Sequence, residues 1–103
     1  MLDVNEYIKM LLKKKKWTLQ RFADEINKVK QKVGITSITT PQNISNFLKQ
    51  VDNQHVLRPK MLCLWERALD LPQGQLVNMV APVTSKEGQK ELKKIMKKVG
   101  EIK

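Results

Sequence analysis

Apolar residues recur at a helical spacing in almost every part of this 103-residue chain. Val4, Ile8 and Leu12 mark the first segment of this kind, and Leu92 and Val99 lie in the last. Steps of three or four residues place apolar side chains on one face of an α-helix, whereas half-buried strands alternate every second residue. The spacing therefore predicts an all-α fold, and the length suits one compact core.

Capping residues, prolines and glycines divide the chain into six predicted helices. Their first residues or N-caps are Asp3, Thr18, Thr40, Pro59, Pro72 and Thr84. The second helix is expected from Leu19 to Val33 and ends before Gly34, a residue typical of helix C-termini. A loop over residues 35–39 then leads to Pro41, which takes the first helical position, where its missing N–H costs no hydrogen bond.

Positive charge is the strongest signal in the composition. Lys and Arg number 20 against 10 Asp and Glu, which gives a net charge of +10. The excess lies near the two ends, since residues 1–34 have nine basic against four acidic side chains and residues 85–103 have seven against three. This balance points to a polyanionic partner, nucleic acid first and an anionic membrane surface second.

Several classes of protein are disfavoured by what the sequence lacks. One cysteine, Cys63, and one histidine, His55, give neither a disulfide framework nor a Cys/His zinc site. No apolar run approaches the ~20 residues of a membrane span, and no secretory signal pattern is present. There is no glycine-rich phosphate loop and no nucleophile paired with a base. We therefore expect a cytoplasmic protein that is not an enzyme and has no cofactor, metal or small-molecule ligand.

Two tryptophans and the cysteine are interpreted as core residues. Trp17 and Trp65 fall on apolar helical faces, so packing is favoured over a function as stacking platforms for single-stranded bases. Cys63 has no His or second Cys near it in the sequence, which favours a quiet, partly buried thiol over a redox sensor.

The third predicted helix has an unusual polar face. Ile44 and Phe47 lie on its apolar side, whereas Gln42, Asn43 and Asn46 lie opposite. Asn is a mediocre helix former, so helix propensity does not account for these residues. A side-chain amide donates and accepts at once, which lets Asn or Gln bind the N6 and N7 edge of adenine in the major groove. A solvated helix face without a ligand is the alternative interpretation.

Three sequence patterns follow one another along the chain. They are Phe22-Ala23 near the start of the second predicted helix, Thr40, Ile44 and Phe47 in the third, and Arg58-Pro59 before the fourth. On these patterns, residues 4–80 resemble the phage repressor/Cro (Xre-type) helix-turn-helix family. The resemblance implies a five-helix repressor-like domain over residues 1–81. It also implies a sequence-specific double-stranded DNA-binding protein, a transcriptional regulator of a bacterium, phage or plasmid.

The resemblance implies functions for individual residues. The base-contacting set is Gln42, Asn43, Ser45 and Asn46. The phosphate-contacting set is Thr18, Gln20, Thr40, Lys49, Arg58 and Lys60. Pro41 replaces a side chain that often contacts a base in this family. A second departure is the link over residues 34–40, which is longer than the family's usual turn of three or four residues.

Residues 82–103 are expected to form a further, basic amphipathic helix. Thr84 and Glu87 have the spacing of a capping box, and an apolar stripe that includes Leu92 and Ile95 follows them. This stripe needs a covering surface. Because repressor-like domains usually bind paired half-sites as dimers, we expect a homodimer through the fifth and sixth helices. Packing onto the chain's own first and fifth helices is the alternative.

Two other functions are consistent with the same sequence. One is a plasmid or phage partition adaptor, which would coat repeated centromere-like DNA sites and recruit a partner protein. The other is a protein-binding module such as an antirepressor, which would use the helical scaffold without binding duplex DNA. Cooperative spreading on tandem repeats distinguishes the first, and failure to bind any duplex at low salt distinguishes the second.

Overall fold

The computed structural model describes residues 4–49, 59–79 and 85–101. Within these ranges the regular structure is helical and contains no strand, which confirms the all-α prediction. The α-helices are α1 (Val4–Lys15), α2 (Leu19–Lys32), α3 (Pro41–Lys49), α4 (Pro59–Ala68) and α5 (Lys86–Gly100), with a 3-10 helix, η1 (Val77–Met79), before α5. Asp3 and Thr84, which we assigned to helix starts, lie outside the described residues.

The second helix begins and ends where its capping residues predicted. The Thr18 hydroxyl accepts a hydrogen bond from the Arg21 N–H at 3.1 Å and so caps the first turn of α2. Val33 is the C-cap, and Gly34 follows with a φ of +82°. This left-handed conformation strains side chains that have a Cβ, which explains the glycine at this position. Residues 35–39 form a loop, as predicted.

Trp65 of α4 lies at the centre of the core and is 1% exposed. Its ring packs edge-on against Phe22 of α2, with the ring centroids 5.2 Å apart, and lies 4.6 Å from the ring of Phe47 of α3. Trp17 is partly buried and lies 6.5 Å from Phe22. Aromatic pairs at such distances add roughly 0.5–1.5 kcal/mol beyond area burial. Trp65 is therefore a core residue, as predicted, and joins α2, α3 and α4, whereas Trp17 packs against the edge of the core.

The C-terminal helix α5 packs back onto α4 of the same chain. Val99 is buried, and Leu92, Ile95 and Met96 are partly buried against the core. Gln73 adds a polar link, because its side-chain N–H donates to the Met96 carbonyl oxygen at 2.6 Å. Part of the apolar stripe is thus covered within the chain, and its main partner is α4 instead of the first and fifth predicted helices.

The short helix predicted to begin at Pro72 is present only in part of the described segment, because residues 73–76 form a turn and only Val77–Met79 form the 3-10 helix η1. The reason is the buried carboxylate of Glu66. It accepts hydrogen bonds from the backbone N–H groups of Gly74, Leu76 and Val77 at 2.8, 2.9 and 3.4 Å. These contacts bind the turn to α4. In a helix that began at Pro72, the Leu76 and Val77 N–H groups would instead donate to carbonyl groups of that helix.

The predicted start of the last helix is also displaced by one residue. Ser85 is the N-cap of α5, and its hydroxyl accepts a hydrogen bond from the Gly88 N–H at 3.0 Å. The sequence pattern predicted this cap at Thr84, with Glu87 as its capping-box partner. Neighbouring Ser and Thr are similarly good caps, so the sequence pattern does not choose between them.

Candidate nucleic-acid interface

Helix α3 separates apolar from polar side chains in the way its sequence predicts. Its buried residues are Ile44, Phe47 and Leu48. Its exposed residues include Gln42, Asn43, Asn46 and Lys49, while Ser45 is half-buried. Nine residues make the helix about 13 Å long, which is close to the ~12 Å width of a DNA major groove. We call the exposed set Gln42, Asn43, Asn46 and Lys49 the amide face.

The first turn of α3 is closed by a reciprocal pair of capping hydrogen bonds. The Thr40 hydroxyl accepts from the Asn43 N–H at 3.1 Å, and the Asn43 side-chain oxygen accepts from the Thr40 N–H, also at 3.1 Å. This is the capping-box arrangement with Asn in the third helical position. Thr40 and Asn43, predicted to contact DNA, therefore also stabilise the helix start, and the Asn43 oxygen is engaged there.

Gln42 and Asn46 interact with each other one helical turn apart. The Gln42 Nε2 group donates to the Asn46 Oδ1 atom at 2.9 Å. The bond uses a donor of Gln42 and the acceptor of Asn46, so the Gln42 oxygen and the Asn46 NH₂ group remain for other partners. An acceptor next to a donor complements the edge of adenine, which has the N6 donor and the N7 acceptor.

Two asparagines outside α3 hold its two ends. Asn27 of α2 donates from Nδ2 to the Thr39 carbonyl oxygen at 2.9 Å, and its Oδ1 accepts from the Thr39 N–H at 2.8 Å. Asn5 of α1 is buried and donates to the carbonyl oxygens of Phe47 and Leu48 at 3.5 and 3.4 Å. The last carbonyl groups of a helix lack partners within that helix, so Asn5 stabilises the C-terminal turn of α3.

The long link before α3 returns to the middle of α2. Helix α2 continues past Asn27 to Lys32, and the chain then comes back so that Thr39 meets Asn27. On the way, the Lys30 ammonium donates to the Ser37 hydroxyl at 3.3 Å. The additional residues lengthen α2 and form the loop that follows it. Helix α3 therefore begins beside α2 although the link is long.

The predicted phosphate-contacting residues are found in different settings. Thr18, Gln20, Thr40 and Lys49 are exposed. Thr18 caps α2, and the Gln20 side chain donates to Asp24 at 2.9 Å. Lys60 lies in the first turn of α4, and Arg58 lies outside the described residues. Because the amide hydrogens at a helix N-terminus attract anions, Thr18 and Gln20 lie where a phosphate is favoured.

Cations gather where α1 meets α2. The Lys15 ammonium and the Arg21 guanidinium each lie over the Trp17 ring, 5.2 and 5.1 Å from its centroid. Arg21 also pairs with Glu25 at 3.3 Å, and Lys28 pairs with the same carboxylate at 3.1 Å. These ion pairs are exposed on their basic side and contribute little to stability.

Three residues that position these elements were not predicted from the sequence: Asn5, Asn27 and Glu66. For Asn5 and Glu66 a signal was available, since each lies on an otherwise apolar helical stripe, Asn5 with Ile8 and Glu66 with Leu62. A polar residue in such a stripe needs a hydrogen-bond partner in the folded chain. No comparable signal joins Asn27 to the loop twelve residues later.

Comparisons with known proteins identify no relative of this chain. No family model matches the chain, and neither does any curated protein or solved structure. Across residues 4–49, 59–79 and 85–101, no helix combines the length and the apolar character needed to cross a bilayer. The same part of the chain has no cluster of three or more His, Cys, Asp or Glu side chains suited to a metal ion.

Proposed function

We propose that this protein binds double-stranded DNA sequence-specifically and regulates transcription as a repressor-type factor, with α3 in the major groove. One observation carries the proposal: the amide face is exposed on a helix whose opposite side is buried and whose two ends are held by other helices. Affinity and specificity both improve when a binding element is ordered before contact, because less conformational freedom is lost on binding.

The chemistry of the amide face suits base edges. Asn46 and Gln42 together offer a donor and an acceptor on one side of α3. Bidentate amide contacts of this type discriminate between bases by about 1–3 kcal/mol. Lys49 follows them at the end of the helix, where an ammonium group suits a phosphate oxygen at the groove edge.

Charge supports the same proposal at longer range. The net charge of +10 attracts a polyanion, and the displacement of counterions by Lys and Arg supplies sequence-independent affinity. The resemblance to the repressor/Cro family adds the expectation that the start of α2 contacts the backbone. Thr18 and Gln20 are exposed there, so a phosphate can reach them.

A homodimer is proposed as the DNA-bound form. Repressor-type domains bind two half-sites about one helical turn of DNA apart, or multiples of that distance. Since α5 packs on α4, dimerisation through η1 and α5 would use the apolar surface they leave exposed, including Met79 at 38% exposure. A palindrome among selected DNA sites supports this arrangement, and single half-sites contradict it.

The decisive experiment is selection of bound sequences from a pool of random duplexes, followed by affinity measurements at several salt concentrations. We expect one enriched motif and an affinity that falls steeply with salt. Enrichment without any motif overturns sequence-specific recognition. Failure to bind every duplex at low salt overturns DNA binding altogether, and a stable complex with another protein then identifies a protein-binding module. Cooperative footprints over tandem repeats identify a partition adaptor.

A further inference from the structure

An open cavity of about 440 Å³ lies between the end of α2 with its following loop, α4 and α5. Volumes of about 300–1,000 Å³ are typical of small-molecule sites, which often form between helices. The residues that line this cavity are different from those of the amide face and from every predicted phosphate contact. The cavity is therefore a separate feature of the molecule.

The lining has an apolar part, which we call the floor, and a basic part, which we call the rim. The apolar lining residues are Ile35, Met61, Leu64 and Ile95. Three lysines, Lys30, Lys94 and Lys98, line it as well, together with Ser37 and one carboxylate, Glu91. Among these described residues there is no aromatic ring, so the floor suits a flexible aliphatic group better than a flat aromatic one.

Lys30 is the lysine whose setting most favours an anion. Its ammonium donates to the Ser37 hydroxyl at 3.3 Å, and partial burial lowers its pKa from the ordinary lysine value. A partly desolvated ammonium has lost some of its hydration, so an anion that enters beside it restores favourable interactions and stabilises the charged form. Lys94 and Lys98 approach the same cavity from α5.

We infer that this cavity binds a small amphiphilic anion, with an aliphatic tail on the apolar floor and a carboxylate or phosphate monoester head at Lys30, Lys94 and Lys98. The charge of the rim selects the head, and the four aliphatic lining residues select the tail. No sequence pattern indicates a small ligand, because Lys30 and Lys98 are 68 positions apart and line one cavity only through the packing of α5. This inference does not depend on DNA binding by α3.

The experiment titrates the full chain, labelled with ¹⁵N, with octanoate and with octyl phosphate below their micellar concentrations. Saturable shifts are expected at the amide signals of Ser37, Lys94 and Lys98. The tighter of the two probes identifies the preferred head group. Acetate and inorganic phosphate test the head alone, and octylamine tests the tail with the opposite charge; none of the three is expected to saturate these signals.

Two matched pairs of variants test the residues. Lys30→Met and Lys98→Met each remove a cation from the rim and keep an apolar stem, and each is expected to weaken octanoate or octyl phosphate binding by about tenfold. Lys32→Met and Lys97→Met make the same change at exposed neighbours outside the lining, and their affinity should stay within about twofold of the parent chain.

Several outcomes overturn the inference. Equal shifts with acetate or inorganic phosphate identify an adventitious ion only, and equal binding of octylamine identifies non-specific apolar contact. If a rim variant and its matched control weaken binding equally, the substituted rim lysine does not bind the head group. Shifts at the same signals that depend on protein concentration alone identify a second copy of the chain as the occupant. The test uses no DNA, so its failure leaves the proposed function unaffected.

Discussion

The side chain of Asn27 binds both polar groups of the Thr39 backbone, accepting from its N–H at 2.8 Å and donating to its carbonyl oxygen at 2.9 Å. Thr39 is 6% exposed and directly precedes the cap of α3. These two hydrogen bonds attach the end of the loop over residues 35–39 to the middle of α2. The position of the amide face relative to α2 depends on this contact.

Replacing Asn27 with alanine should destabilise the fold and loosen the start of α3. Two hydrogen bonds are lost, and the partly buried Thr39 groups lose their partner, which costs about 1–3 kcal/mol. Urea denaturation measures the free energy of unfolding, and amide hydrogen exchange at Thr39 reports the local effect. Asn46→Ala is the matched control, because it changes the same residue type at an exposed helical position and should alter stability by less than about 0.5 kcal/mol. Equal stability of the two variants would show that the contact does not order the loop.

Replacing Glu66 with glutamine should destabilise the turn after α4. The Glu66 carboxylate is 1% exposed and accepts from three backbone N–H groups, whereas a glutamine presents an NH₂ group to at least one of these donors. We expect a loss of about 1–3 kcal/mol in the free energy of unfolding. The exposed Glu87→Gln change on α5 is the control, and both are measured by urea denaturation. A Glu66→Gln variant as stable as the parent chain would contradict the assignment.

Alkaline pH should destabilise the protein through Cys63. Burial, and to a smaller extent the charge of Glu66, raises the pKa of the Cys63 thiol from 9.0 to about 12. Below pH 9 the thiol is neutral in the folded and unfolded chains, so this contribution is fully present. Between pH 9 and pH 12 the unfolded chain releases the proton and the folded chain keeps it, so stability is lost as the pH rises. One proton gives a slope of at most about 1.4 kcal/mol per pH unit.

Urea denaturation at several alkaline pH values measures this effect in the parent chain and in a Cys63→Ala variant. The difference between their free energies of unfolding isolates the thiol, because other titrating groups are common to both. A parallel pH dependence of the two proteins would exclude Cys63 as the cause. Alkylation at about pH 8 is an independent check, since a thiol that is fully buried should react far more slowly in the folded protein than in urea.

Local sequence signals were sufficient for most helices but failed where a distant side chain decided the backbone. Thr18, Gly34 and Thr40 act within one turn of their own position, so their capping preferences predicted the ends of α2 and the start of α3. Residues 72–80 have a proline and apolar residues at helical spacing. Three of their backbone N–H groups nevertheless donate to the Glu66 carboxylate, which lies eight to eleven residues earlier in the chain. Propensity and period contain no information about such a partner.

In the candidate site too, local sequence signals predicted some features, and contacts between distant residues determined the others. Helical periodicity placed Gln42 and Asn46 on the exposed side of α3, because Ile44 and Phe47 had to be buried. The hydrogen bonds that orient this helix come from Asn5 and Asn27, on two other helices. The cavity beside Lys30 likewise depends on how α5 packs, and its residues come from four separate segments.

Replacing Lys49 with alanine should weaken binding to the selected DNA site and to random DNA alike. Lys49 is exposed at the end of α3, and a phosphate contact there has no preference for a base. The slope of log affinity against log salt should fall by about one unit, since one fewer counterion is displaced. An unchanged slope would show that Lys49 does not contact a phosphate. Lys32→Ala makes the same charge change at an exposed position in the last turn of α2, outside the predicted phosphate contacts, and isolates the general effect of net charge.

Replacing Asn46 with alanine should affect specific binding alone. We expect a loss of about 1–3 kcal/mol on the selected site and almost none on random DNA, because a base contact discriminates and a phosphate contact does not. Equal losses on both would contradict base reading by Asn46. Since Gln42 donates to Asn46 at 2.9 Å, the two residues should also be coupled. The loss caused by Gln42→Ala together with Asn46→Ala should therefore differ from the sum of the single losses by more than about 0.5 kcal/mol, and strict additivity would show that the pair does not act as one unit on DNA.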